Sequence, residues 1–141
     1  MKAITFLKKI ESMDARINTR LEEVESLKAL ATKTTSVLGG ERVQSSGSQQ
    51  KMADHVGKIV DITNEVNADI DRFVEYKREV LKIMDENCDP DCIQLLYSRY
   101  FQDRTWEQIS CELGYSYKWV SGGLHSKALQ QVQKGLDKMK E

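Results

Sequence analysis

The chain contains one proline, two histidines and three cysteines in 141 residues, and each scarcity narrows what it can be. A lone proline leaves almost nothing to interrupt a helix, so long helices are permitted. The two histidines, His55 and His125, stand far apart in the sequence. There is no glycine-rich phosphate loop, no nucleophile elbow and no HExxH pair. The expectation is therefore a protein that is not an enzyme, with no catalytic residues and no cofactor. Three cysteines are an odd number, which argues against a disulfide framework. After Lys2 the apolar run from Ala3 to Leu7 stops at Lys8 and Lys9, too short for the core of a secretion signal. Reduced thiols in a cytoplasm are the expectation that follows. No stretch approaches the roughly 20 apolar residues of a membrane span, so no membrane partner is expected.

One-sided charge is missing as well. The formal net charge is −1, so no global basic field advertises a nucleic-acid partner. The charge is nonetheless uneven. Residues 51–92 carry six basic and eleven acidic side chains, whereas residues 93–141 carry seven basic and five acidic ones. The middle of the chain would repel phosphate and its end would mildly attract it.

What is present is helical patterning. With 40% hydrophobic and 30% charged residues, the chain has enough apolar material for one ordinary domain or two small helical ones. Ile4, Leu7, Ile10, Met13, Ile17, Leu21, Val24 and Leu27 recur at helical intervals, which predicts an amphipathic helix from Ala3 to about Thr34, ending before Gly39-Gly40. A glycine- and serine-rich stretch near 35–51 reads as a flexible loop. A second long helix is predicted from Met52 to Glu86, its stripe running through Val56, Ile59, Ile62, Val66, Ile70, Phe73, Val80 and Ile83. So long a stripe must leave water by packing on the first helix, on a second copy, or on both. Residues 1–86 are thus expected to form a long hairpin with coiled-coil-like packing and to support a homodimer.

Residues 89–141 read as a second unit. Asp89-Pro90 has the form of an N-cap followed by proline at the first helical position, and the helix it opens should stop near Gln102. Thr105 and Gln108 have the spacing of a capping box, so another helix starts at Trp106 and buries Trp106, Ile109 and Leu113. Cys111 reads as a buried position on it. Gly114 marks a sharp turn. Ser116 is a plausible N-cap for a final helix with Val120, Leu124, Ala128 and Val132 inward. Two short helices joined by a glycine turn describe a helix-turn-helix, in an all-α fold.

These residues resemble region 4 of sigma-70-type factors. The likeness runs through Leu95-Leu96-Tyr97-Ser98-Arg99-Tyr100-Phe101, Trp106-Glu107-Gln108-Ile109, Leu113-Gly114-Tyr115-Ser116, Val120, Leu124-His125 and Ala128-Leu129. Across the whole chain, Ser45 to Asp61 and the run from Tyr115 are similar to a phage and prophage family of unknown function resembling late-gene activators. The resemblance implies a cytoplasmic, phage- or prophage-encoded transcription regulator that binds double-stranded DNA and contacts RNA polymerase. It also implies that Tyr117, Lys118, Ser121, Gly122 and His125 lie at the major groove, with Arg104 and Lys127 on phosphates and Ser116 among the DNA-binding residues. Region 4 sequences carry a basic or bulky polar pair where this chain has Gly122-Gly123. Close backbone approach to a partner and loss of base readout are both open at that pair, and the latter would leave a protein-binding module. Trp119 is equally open, as a packed side chain or an exposed anchor. Cys88 and Cys92 form a C-x3-C pair without the second pair that a zinc finger needs, so no metal is expected.

Overall fold

The computed structural model of the chain describes residues 1–40 and 46–140. Among the described residues the regular structure is all helical. Five α-helices follow one another: α1 (Ala3–Gly40), α2 (Ser46–Asn87), α3 (Pro90–Leu96), α4 (Trp106–Leu113) and α5 (His125–Met139). Two π-helical segments accompany them. Tyr97–Phe101 prolongs α3, and Trp119–Leu124 leads into α5. Among these residues no helix is long and apolar enough to cross a membrane.

The two long helices exceed their expected bounds. The loop expected near 35–51 is helical at residues 35–40 and 46–51, and residues 41–45 lie outside the described residues. Each glycine costs a helix about 1 kcal/mol relative to alanine, which weakens α1 at Gly39 and Gly40 without forbidding it. No proline stands there to break it.

The chain divides into two compact units, Asp14–Arg72 and Met1–Met13 with Phe73–Glu141. The first unit consists of segments of α1 and α2 running antiparallel, as the pairing of Arg16 with Asp69 and of Arg20 with Glu65 and Asp69 requires. Its apolar burial is thin. Val24 and Val66 are buried, Ile17, Leu27, Ile59 and Ile62 are half-buried, and Leu21, Val56 and Ile70 are exposed. The inner stripe passes through Asp69 instead of Ile70, so the phase read from the sequence is one residue off at that turn. Asp69 is 8% exposed. Its Oδ1 accepts from Arg72 at 3.1 Å, and its Oδ2 lies 3.5 Å from Arg16 Nε and 3.4 Å from Arg20 Nε. A buried carboxylate persists only when paired, and these guanidiniums join the two helices through it.

The second unit holds a dense core. Phe6, Leu7 and Ile10 of α1, Val80, Ile83 and Met84 of α2, and Cys92, Leu95 and Leu96 of α3 are all buried. So are Ile109 of α4 and Val120, Leu124, Ala128, Val132 and Leu136 along the last helix. Hydrogen bonds fix the N-terminal turn onto this core. The Ala3 amide donates to Gln133 Oε1 at 2.7 Å, and the Tyr76 hydroxyl donates to the Phe6 carbonyl at 2.5 Å. Phe6 and Tyr76 also meet edge to face, with centroids 5.5 Å apart.

Gly135 lies at a close approach of α5 to α2. A β-carbon there would stand 2.5 Å from Asn87 Nδ2 and 2.9 Å from Ile83 Cγ2. The Asn87 amide is itself held, donating to the Ile83 carbonyl at 2.9 Å. Gly135→Ala is therefore expected to lower stability, although alanine is favoured over glycine in a helix by about 1 kcal/mol. Urea denaturation of the two proteins checks the sign.

Candidate nucleic-acid interface

Local chemistry builds the segment from Thr105 to Leu124 step by step. Asp103 turns the chain with φ 53°, a left-handed conformation that short polar side chains tolerate. Thr105 then caps α4 reciprocally: the Gln108 amide donates to Thr105 Oγ1 at 3.2 Å, and the Thr105 amide donates to Gln108 Oε1 at 3.0 Å. Gly114 ends α4 with φ 73°, where glycine carries no steric penalty. Two residues later, Ser116 Oγ accepts from the Trp119 amide at 3.2 Å, so the expected N-cap is in place. The turn comprises residues 114–116, and the next helical residues begin at Tyr117.

The inward face of this second helix matches the expected one. Val120, Ala128 and Val132 are fully buried and Leu124 is 4% exposed. In α4, Ile109 is fully buried, Trp106 and Leu113 are half-buried, and Cys111 is exposed instead of buried.

The outward face gathers part of the candidate set. Tyr117, Lys118 and Gly122 are exposed, with Ser116 exposed just before them and Ser121 half-buried alongside. Ser121 Oγ donates to the Tyr117 carbonyl at 2.9 Å. Nothing within 4 Å would meet a β-carbon at Gly122, so this position is open backbone.

Three other candidates already have partners. Arg104 is ion-paired with Glu112. Lys127 Nζ lies 3.0 Å from Asp89 Oδ2. Asp89 also accepts from Gln131 at 3.0 Å and makes no side-chain cap to α3, although it stands at the N-cap position with Pro90 next. These contacts hold its carboxyl below the usual range. Arg104 and Lys127 thus form no free basic stripe with Lys118.

His125 is the third engaged candidate. It is half-buried, 2.8 Å from the Tyr100 hydroxyl through Nε2, with Trp106 edge-on at 4.8 Å. Arg99 covers the other part of the cluster, 4.4 Å from the Trp106 ring centre. Burial first, then the charges of Arg99 and Lys8, push the His125 pKa below 6.5.

Gly123 has a different task from Gly122. A β-carbon at Gly123 would fall 2.2 Å from the Trp119 ring, which lies across it. Trp119 stays 45% exposed and, with Tyr115, borders a cleft of about 390 Å³ beside Asp89, Pro90 and Asp91. The Tyr115 hydroxyl donates to Asp91 at 2.6 Å on that wall. Trp119 is therefore packed on its own helix and open on its other side. The Gly122-Gly123 pair sits in the π-helical segment, whose wider turn separates it from regular helix.

Cys88 and Cys92 are held as thiols. Burial, reinforced by Cys92, Asp89 and Asp85, pushes the Cys88 thiol up to about 12, and burial raises Cys92 too. Among the described residues no three His, Cys, Asp or Glu side chains are grouped to hold a metal ion. The role of Gly123 was missed by sequence reasoning, as was the engagement of Arg104 and Lys127. Trp119 four residues earlier was the available signal for the glycine. No protein-family model, curated protein or solved structure matches the chain.

Two predictions follow from this geometry. Gly122→Ala is expected to raise stability by up to about 1 kcal/mol, whereas Gly123→Ala lowers it and displaces the indole. Thermal melts and Trp119 fluorescence in a Trp106→Phe background separate the two. For His125, the unfolded chain takes up a proton near pH 6.5 and the folded chain only at lower pH. Its contribution is intact above that pH and is lost as pH falls from 6.5 through the lowered folded value. Urea midpoints between pH 8 and 5 should fall less in His125→Gln than in the parent protein.

Proposed function

We propose that the C-terminal unit is a helix-turn-helix that binds double-stranded DNA, and that the protein is a transcription regulator. The observation carrying this reading is the exposed face of Tyr117, Lys118 and Gly122, with Ser121 half-buried beside them. It lies on a helix whose opposite face is buried and whose entry is fixed by the Gly114 turn and the Ser116 cap. A rigidly presented helix with hydroxyls, one lysine and bare backbone suits a groove. Lys118 supplies charge, Tyr117 and Ser121 supply donors and acceptors, and Gly122 lets backbone approach. The likeness to sigma region 4 supports RNA polymerase as a second partner. The likeness to late-gene activators supports a phage or prophage regulator acting in a bacterial cytoplasm.

One observation favours a second reading. The ion pairs of Arg104 with Glu112 and Lys127 with Asp89 engage both phosphate-contact candidates, which suits a module that binds protein instead.

Fluorescence anisotropy with a labelled duplex from the promoter next to its own gene, compared with random duplex, tests the DNA reading. Affinity should fall steeply between about 50 and about 200 mM salt. Lys118→Ala should weaken binding and reduce the salt slope by about one, with helical content unchanged. Leu124→Ala should instead cost about 2–5 kcal/mol of stability. Binding that ignores salt and sequence, together with co-purification of a protein partner, would favour the second reading.

A further inference from the structure

Helix α2 carries two apolar stripes, and among the described residues one is packed and the other exposed. The inner stripe includes Ile59, Ile62, Val66 and Asp69. One residue further round lies an outer stripe. Its apolar members Val56, Val60 and Ile70 are 50, 52 and 39% exposed, and its polar members Thr63 and Asn67 are also exposed. The five positions are spaced alternately four and three residues apart, a 3.5-residue repeat. That repeat keeps a stripe facing one partner helix along its length.

We propose that this outer stripe pairs with the same stripe of a second copy of the chain. Self-pairing is favoured by the order of the residues. Val60, Thr63, Asn67 and Ile70 read apolar, polar, polar, apolar, a palindrome about the midpoint between Thr63 and Asn67. A two-fold interface uses one patch on both partners. If the helices run antiparallel, Val60 meets the second copy's Ile70 and Thr63 meets its Asn67. If they run parallel in register, each residue meets itself. Both arrangements set hydrogen-bonding groups against one another and hydrocarbon against hydrocarbon. A uniformly apolar partner helix would leave Asn67 and Thr63 facing hydrocarbon. The buried asparagine then selects the pairing at a cost in affinity. The stripe from Val56 to Ile70 is about 21 Å long at ~1.5 Å per residue, so the association is reversible and concentration-dependent. This inference stands apart from the DNA reading, because its test reads oligomeric state alone.

Sedimentation equilibrium of the full chain at several concentrations is the experiment. The parent protein should show a monomer–dimer equilibrium, and Ile70→Glu and Val60→Glu should each weaken it by about tenfold or more. Circular dichroism should not change, because both side chains are exposed. Thr63→Lys, a polar position on the same stripe, gives the same expectation where an apolar substitution perturbs folding. Lys58→Glu, off the stripe, should dimerise like the parent. A parent protein that stays monomeric up to about 200 μM overturns the proposal, as do stripe variants that dimerise with unchanged affinity.

Discussion

The C-terminal unit depends on keeping one line of side chains out of water. Val120, Leu124, Ala128, Val132 and Leu136 recur every four residues on the last helix, and all are buried. Each fully buried Val or Leu on it contributes about 1.5–3 kcal/mol by transfer from water. Helices as short as α3 and α4 are not stable in isolation, so they exist by covering this line. The first turns of α1 complete the cover, as the Ala3–Gln133 hydrogen bond records. Disrupting that stripe would loosen the candidate DNA face before touching any residue on it.

The other unit rests on a different principle. Its apolar burial is small, and a polar cluster joins α1 to α2 beside it. Asp69 gathers Arg16, Arg20 and Arg72 around one carboxylate. Such a cluster adds less net stability than a core of equal size, while removing one partner would leave a buried charge uncompensated. Beside this thin core and its polar cluster, Val56, Val60 and Ile70 of α2 stay exposed.

Helix propensity and local packing set different demands at Gly122 and Gly123. Both glycines weaken the helix, yet only Gly123 has a packing reason, the indole of Trp119 across it. Among the described residues Gly122 has none: a β-carbon there would meet nothing within 4 Å. The engaged states of Arg104, Lys127 and His125 narrow the candidate DNA face to residues 116–122 and concentrate its positive charge on Lys118.

Much of this was legible in the sequence. The capping box at Thr105, the glycine turn at Gly114, the Ser116 cap and the four-residue spacing from Val120 to Val132 are local signals with local causes, and they set the helix boundaries and the buried face. Periodicity likewise revealed two long helices. Only tertiary structure decided which of two adjacent stripes on α2 faces inward, because Ile70 looks more buriable than Asp69 until two arginines of α1 arrive beside that carboxylate. It also decided which charged side chains remain free. Ion pairs such as Lys127 with Asp89 join residues distant in sequence, and no spacing rule encodes them. The ends of α1 and α2 escaped prediction for a related reason: glycine and serine lower helix propensity by an amount that neighbouring turns readily offset.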